Sequence, residues 1–260
     1  SSDLEGVRSI REKTFCECTA LQEIRLPDGL ELIGRSAFSE CEALQEVRLP
    51  EGLKEIGSDA FSSCRSLRQI TIPAGVKCIE SGTFWKCTAL QEVHLPEELE
   101  QIGMFAFEAC DTLTRIVLPA SLKQLCRGAF ENCTSLLEAQ LPDGLEELQD
   151  DAFEYCRSLQ KVTIPAQVRQ IEQAAFYYCQ SLQEVQLPEE LNEIGEDAFA
   201  HCWALKRIVI PAGVEKVGEH AFWECYSLQN IAVLSDGTEI AEDAFEDCPG
   251  TVKRGTGSLF

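Results

Sequence analysis

The sequence predicts a solenoid, an elongated domain in which short coils of chain stack on one another. One pattern, LxxIxLPxxLxxIGxxAFxxCxx, recurs every 23 residues through the 260-residue chain without insertion or deletion. A single coil is too small to bury its own apolar face, so neighbouring coils must stack to build a continuous core. The register is shown by a phenylalanine column: Phe15, Phe38, Phe61, Phe84, Phe107, Phe130, Phe153, Phe176, Phe199, Phe222 and Phe245.

The repeat divides the chain into three parts. Residues 1–20 contain a partial copy, Val7 to Ala20, and we expect them to form an N-terminal partial repeat or cap. Residues 21–250 form the repeat array, with ten copies that open at Leu21 and then at every twenty-third residue up to Leu228. Residues 251–260 are expected to be a C-terminal capping segment, because terminal units of such arrays depart from the pattern.

Each copy predicts two short strands and a turn. If the opening leucine is position 1, positions 4 and 6 are apolar and positions 3 and 5 mostly polar, which is typical of a half-buried strand. Proline at position 7 ends this strand, and apolar positions 10 and 13 predict a second one. Glycine at position 14, as in Gly34, is expected in a tight turn. For AFxxC we expect a short helical turn, with Phe and Cys on one face and aspartates such as Asp59 capping it.

This pattern resembles the BspA-like, or treponemal-type, leucine-rich repeats over about residues 7 to 250. The resemblance implies a leucine-rich-repeat solenoid, a right-handed stack of about eleven 23-residue coils with parallel β-strands. The ending CPGTVKRGTGS, Cys248 to Ser258, is similar to the capping strand of such arrays. Because the family consists largely of bacterial and protozoan surface or secreted proteins, the resemblance also implies an extracellular or cell-surface location and a role in adhesion. The amino terminus itself does not resemble a signal peptide.

The chain is strongly acidic, with 44 acidic against 22 basic residues and a net charge of −22. This charge argues against binding to nucleic acid or to an anionic membrane surface, and its simplest interpretation is solubility. No apolar run approaches the roughly 20 residues that span a bilayer. We therefore expect no nucleic-acid partner, no membrane insertion and a monomer.

Eleven of the fourteen cysteines form a second column, at position 21. In-register side chains of coils about 4.8 Å apart run parallel, which leaves their Cβ atoms too far apart for a disulfide. We therefore expect a ladder of reduced, buried thiols. Cys16, Cys78 and Cys126 lie off the column and are candidates for exposed thiols.

No motif for catalysis or for metal binding is found. The sequence has no GxSxG, P-loop, HExxH or dinucleotide fingerprint, and no CxxC. The three histidines, His94, His201 and His220, are scattered and are interpreted as surface residues. We expect no enzyme activity, no metal and no cofactor.

Charges alternate along the outward positions. From Glu92 onwards, position 3 reads Glu92, Arg115, Glu138, Lys161, Glu184, Arg207. Opposite charges on adjacent strands attract by roughly 0.2–1 kcal/mol per pair. The alternation either stabilises the sheet or adjusts a partner surface.

The candidate binding residues are aromatic side chains outside the core columns, in the sixth to ninth coils. They are Tyr155, Tyr177, Tyr178, Trp203, Trp223 and Tyr226, all at positions 19, 20 or 22. Exposed tryptophan and tyrosine are enriched in binding hot spots, and Glu196, Asp197 and Glu219 form an acidic border. The alternative is that these rings pack laterally between coils and only cover the corner.

The sequence thus favours a non-enzymatic binding module for protein–protein interaction or adhesion at a cell surface. The acidic border favours a partner with a basic surface, and the family resemblance favours a host or matrix protein. The alternative is a carbohydrate-binding or purely architectural surface repeat protein.

Overall fold

In the computed structural model, which describes residues 6–255, each coil contributes one strand to each of two faces of the solenoid, and the strands within a face are parallel. Partner residues lie one repeat apart, as in Ile24 with Val47 and Ile208 with Ile231, except in the last strand pair, where Ile231 pairs with Val252, 21 residues later. The predicted solenoid of about eleven stacked coils is confirmed. The division into 1–20, 21–250 and 251–260 stays a prediction.

The strands are, in chain order, β1 (Ser9–Ile10), β2 (Glu23–Arg25), β3 (Leu32–Ile33), β4 (Glu46–Arg48), β5 (Glu55–Ile56), β6 (Gln69–Thr71), β7 (Cys78–Ile79), β8 (Glu92–His94), β9 (Gln101–Ile102), β10 (Arg115–Val117), β11 (Gln124–Leu125), β12 (Glu138–Gln140), β13 (Glu147–Leu148), β14 (Lys161–Thr163), β15 (Gln170–Ile171), β16 (Glu184–Gln186), β17 (Glu193–Ile194), β18 (Arg207–Ile210), β19 (Lys216–Val217), β20 (Asn230–Val233), β21 (Glu239–Ile240) and β22 (Thr251–Arg254). Even-numbered strands form the first-strand face and odd-numbered strands the second-strand face. β22 pairs in parallel with β20.

The core consists of columns that run along the solenoid. Neighbouring phenylalanine rings are stacked, with centroids 5.3 Å apart for Phe107 and Phe130 and 5.4 Å for Phe130 and Phe153. The opening leucines beside them are fully buried from Leu44 onwards. Every coil therefore completes the core of the coil before it.

The predicted helical turn at AFxxC is wrong, because none of residues 6–255 lies in a helix. Positions 15–21 instead form overlapping turns with left-handed residues at positions 16 and 20, such as Ser36 (φ 51°) and Glu40 (φ 60°). The amides of positions 17, 19 and 21 donate within their own coil, three residues back, as Cys41 does to Phe38. The amides of positions 16, 18 and 20 donate to the next coil, as Phe38 does to Ala60. A helix would direct all of them along its own axis, so bonding between coils excludes it.

We call the side of the solenoid formed by positions 15–22 of each coil the turn side. The aspartate at position 16 and the glycine at position 14 have roles there that differ from those predicted. Asp59 does not cap a helix; it occupies a left-handed position (φ 58°), a conformation in which aspartate is enriched among the residues other than glycine. Gly34 has no positive φ, but a Cβ there would lie 2.6 Å from the Glu12 nitrogen of the preceding coil. Glycine at position 14 is therefore required by the close approach of coils.

The thiol column has a polar role as well as an apolar one. From Cys41 to Cys248, each Sγ at position 21 lies 3.1–3.3 Å from the phenylalanine carbonyl of the preceding coil, to which the thiol donates. Burial raises the pKa of Cys41 to about 11 and that of Cys87 to about 12, so these thiols resist ionisation. Among the off-column cysteines, Cys126 is buried and Cys16 and Cys78 are half-buried, so the expected exposure is wrong for Cys126.

The alternating charges form ion pairs across the first-strand face. Arg115 lies 4.0 Å from Glu138, and Glu184 lies 3.6 Å from Lys161 and 3.4 Å from Arg207. These pairs are well exposed, so each contributes at most about 1 kcal/mol.

Candidate functional site

The candidate aromatic residues lie in one continuous cluster along the turn side of the sixth to ninth coils, which we call the aromatic edge. It consists of Tyr155, Tyr177, Tyr178, His201, Trp203, Trp223 and Tyr226. Three of them, Tyr155, Tyr178 and His201, occupy position 20 in successive coils with φ between 56° and 59°. The repeated backbone conformation therefore brings their side chains into register.

The inner part of the aromatic edge consists of half-buried rings that pack laterally. The Tyr155 and Tyr178 rings are stacked with centroids 5.1 Å apart, and Tyr177 meets Tyr155 edge-on at 5.7 Å. The centroid of the Trp223 ring lies 4.7 Å from that of the His201 ring. For these rings the structure shows the lateral packing that was the alternative to binding.

His201 is the member that the sequence analysis missed. It is only 3% exposed, so its interpretation as a surface residue is wrong. Its ring lies 4.1 Å from that of Tyr178 and 5.2 Å from that of Tyr177. The signal that could have found it is its place in the position-20 column, directly after two tyrosines.

The outer part of the aromatic edge consists of Trp203 and Tyr226, which are 38% and 53% exposed. Both occupy position 22, in adjacent coils, and their ring centroids are 6.3 Å apart at an interplanar angle of 33°. Trp203 also meets Tyr178 edge-on at 6.0 Å. Trp203 thus packs against the inner rings, and Tyr226 extends the cluster outward from Trp203.

A carboxylate lies between the inner and outer parts of the aromatic edge. Oε2 of Glu224 lies 3.0 Å from Nδ1 of His201. This is within ion-pair distance, but the two groups are not aligned as a hydrogen bond. A hydrogen bond with Glu224 raises the pKa of the Tyr226 hydroxyl to about 12. The Glu224 side chain is 24% exposed and so remains accessible from solvent.

The surroundings of the aromatic edge are acidic. The turn-side segments 173–180, 196–203, 219–226 and 242–249 contain eight carboxylates and no lysine or arginine. Glu196 and Glu219 are exposed at position 15. Burial, followed by the charge of Glu196, raises the pKa of Asp197.

Three glutamates at position 19 lead to the aromatic edge from the amino-terminal side. Glu108, Glu131 and Glu154 follow one another in adjacent coils, and the next residue in their column is Tyr177. Burial, together with repulsion from Glu108, raises the pKa of Glu131 to about 7. Burial and repulsion from Glu131 raise the pKa of Glu154 to about 7.

Residues 6–255 contain neither a metal-ligating cluster nor a membrane-crossing helix. There, no group of three or more His, Cys, Asp or Glu side chains is placed to hold a metal ion. None of these residues forms a helix with the length and hydropathy that crossing a bilayer requires.

Comparison with known proteins identifies the repeat. A family described as the BspA-type leucine-rich-repeat region matches residues 8–137 and 126–252, with six copies of its model. No curated protein matches the chain at a significant level.

Several solved structures are similar. A leucine-rich-repeat protein from Bacteroides ovatus is 30% identical, with a TM-score of 0.83 over 95% of this chain and 70% of its own. A leucine-rich cell-surface protein from Faecalibacterium prausnitzii is 29% identical, with a TM-score of 0.57 over 97% of this chain and 77% of its own. The pneumococcal vaccine antigen PcpA is 20% identical, with a TM-score of 0.61 over 97% of this chain and 67% of its own, and shares the fold.

Proposed function

Because the chain belongs to the BspA-type leucine-rich-repeat family, we propose that it is a non-enzymatic binding module that takes a protein partner at its aromatic edge. The observation that carries the proposal is the pair of exposed rings, Trp203 and Tyr226, beside a packed group of half-buried rings. Interface hot spots are typically aromatic anchors whose surroundings exclude water. The half-buried Tyr178 and the buried His201 supply such surroundings.

The charges around the aromatic edge indicate the kind of partner. With eight carboxylates and no lysine or arginine in the turn-side segments from residue 173 to residue 249, the surface attracts a partner that is basic at the contact. A host or matrix protein with a basic surface fits this requirement. An extracellular or cell-surface location supports it, as does the similarity to a cell-surface protein of F. prausnitzii.

The test is a double substitution, Trp203→Ala with Tyr226→Ala. A partner is first captured from host-cell or matrix extract on the parent protein, and its Kd is then measured for each variant. Loss of a hot-spot side chain costs about 2 kcal/mol or more, so we expect Kd to rise at least about tenfold.

The matched control is Val117→Ala with Val209→Ala. These side chains are 58% and 39% exposed, and they lie on the first-strand face, away from the aromatic edge. We expect the control to change Kd by less than about twofold. An affinity that falls in the control and not in the edge variant would place the partner on the first-strand face and overturn the proposal. Melting curves of both variants check that the fold is kept.

A carbohydrate ligand is the second candidate. The faces of Trp203 and Tyr226 are tilted by only 33°, which suits stacking on a sugar ring, and Glu224 could accept a bond from a sugar hydroxyl. Binding to a glycan array that disappears with Trp203→Ala and Tyr226→Ala would favour this candidate. An architectural role would follow if neither a glycan nor a protein bound.

A further inference from the structure

We infer that Trp203, Tyr226 and Glu224 form a site for a guanidinium group, so that the residue anchoring the partner is an arginine. This inference rests on the proposed function and specifies the chemistry of its partner. The site combines two exposed aromatic faces with one positioned carboxylate.

The first observation is the way in which Glu224 is held. Its carboxylate lies 3.0 Å from Nδ1 of His201, and it is close enough to the hydroxyl of Tyr226 to raise the pKa of that hydroxyl. His201 is buried, and its Nδ1 has no aligned hydrogen-bond partner among the described residues. Glu224 therefore lies half-buried against His201, unlike a carboxylate on a free surface, and keeps lone pairs for a ligand from solvent.

The second observation is the geometry of the rings. A cation is attracted to an aromatic face when it lies within about 6 Å of the ring centroid. The Trp203 and Tyr226 centroids are 6.3 Å apart, so one planar cation can contact both rings. Guanidinium can stack flat on a ring while its N–H edge bonds a carboxylate, whereas ammonium is a compact point charge. The arrangement therefore favours arginine over lysine.

The third observation is a guanidinium of the chain itself on the same edge. Arg157 occupies position 22 of the sixth coil, and its guanidinium carbon lies 5.6 Å from the centroid of the Tyr155 ring. Position 22 in the next three coils is Gln180, Trp203 and Tyr226. The exposed pair therefore has no arginine at position 22 of these coils, and a guanidinium from a partner can take that role.

The test uses three blocked tripeptides, of arginine, lysine and citrulline, and follows the indole N–H signal of Trp203 by NMR. Citrulline keeps the planar shape of arginine without its charge. We expect tri-arginine to shift the signal with an affinity at least about fivefold above that of tri-lysine, and tri-citrulline to leave it unchanged.

Two charge-matched variants separate a local site from general attraction. Glu224→Gln removes the carboxylate beside His201, and Glu215→Gln removes an exposed one from the same coil, outside the acidic border. Both lower the net negative charge by one. We expect Glu224→Gln to weaken tri-arginine binding about tenfold and Glu215→Gln to weaken it less than about twofold.

Two results would overturn the arginine site. One is equal affinity for tri-arginine and tri-lysine, and the other is equal weakening by the two glutamine variants. If either occurred while Trp203→Ala with Tyr226→Ala still abolished binding of the protein partner, the proposed function would stand and only the arginine anchor would fail. If instead tri-arginine bound selectively but that double variant did not change the affinity for the protein partner, the arginine site would stand and the proposed function would fail.

Discussion

At the scale of single residues, the phenylalanine ring is the unit on which each coil depends. Phe130 is fully buried between Phe107 and Phe153. Phe245 is half-buried and, among residues 6–255, stacks on Phe222 alone. The same residue type in the same repeat position is therefore surrounded to different degrees.

We expect Phe130→Ala to lower the free energy of unfolding by roughly 3–5 kcal/mol, because a core cavity remains. Phe245→Ala should cost less, since solvent already reaches that ring. Urea melts of the two variants and the parent measure both losses. Equal losses would contradict the dependence on stacking between coils.

The residue scale also shows where sequence reasoning stops. Burial of Phe130 could be predicted because its column repeats without exception. Burial of His201 could not be predicted from its own coil, because Tyr177, Tyr178 and Trp223, which cover it, belong to the coils on either side. The exposure of Trp203, at position 22, likewise depends on which neighbours fill the space beside it.

At the scale of elements, the strands were predictable and the turn side was not. Alternating apolar and polar residues fix which side of a strand is buried. In AFxxC, the three-residue spacing of Phe and Cys is equally compatible with a helical turn and with the observed series of turns. The choice depends on amides that reach the next coil, as that of Phe38 does, and no local pattern contains this information.

Within the turn side, the Glu108–Glu131–Glu154 column links stability to pH. The one cation that lowers the pKa of Glu131 and Glu154 is Arg127, and its Nε is bonded to Asp151 at 2.9 Å. Glu131 and Glu154 therefore hold protons at a pH where free glutamate is ionised. Folding raises the pKa of both glutamates to about 7. Their contribution to the free energy of unfolding is therefore fully present below the unfolded pKa of about 4.3, and it is lost as the pH rises through 7.

We therefore expect the free energy of unfolding to fall between pH 5 and pH 8, and to fall less in Glu131→Gln with Glu154→Gln. Allowing for solvent exposure, the difference between parent and variant should be about 1–2 kcal/mol. Urea melts at both pH values measure it. The control, Glu97→Gln with Glu98→Gln, removes two exposed carboxylates and should keep the parent's slope. A variant that falls as steeply as the parent would refute the role of this column.

At the scale of the whole molecule, the repeat length alone determined most of the fold. Each coil contacts its neighbours, so the alignment of one 23-residue unit specifies a core that runs through the described residues. The site could be predicted only in part. The sequence located the aromatic edge, but the division into an inner packed part and two outward rings requires the geometry between coils.

On the turn side, the peptide groups whose amides bond between coils, at positions 16, 18 and 20, point the same way along the solenoid. Their N–H groups face the next coil and their carbonyls the previous one, at N–O distances of 2.6–3.1 Å. Aligned peptide groups add their dipoles, as in an α-helix, whereas ordinary sheets have only small net dipoles. Among the described residues, the amides of Asp243, Phe245 and Asp247 donate to no further coil, so the partial positive charge lies at the carboxyl-terminal end.

The acidic residues at the carboxyl-terminal end match this alignment of peptide groups. Glu242, Asp243, Glu246 and Asp247 surround the positive end, whereas the opposite end carries Arg11 and Lys13 together with Glu12 and Glu17. A carboxylate at the positive end stabilises by about 0.3–1 kcal/mol at low ionic strength. Glu246→Gln with Asp247→Asn should therefore lower the melting temperature in dilute buffer, although it reduces the net charge, and should lose that effect in 1 M salt. An increase in melting temperature would contradict this expectation. If the melting temperature falls as expected, part of the acidity of this protein serves as a counter-charge for the aligned peptide groups of its own turn side.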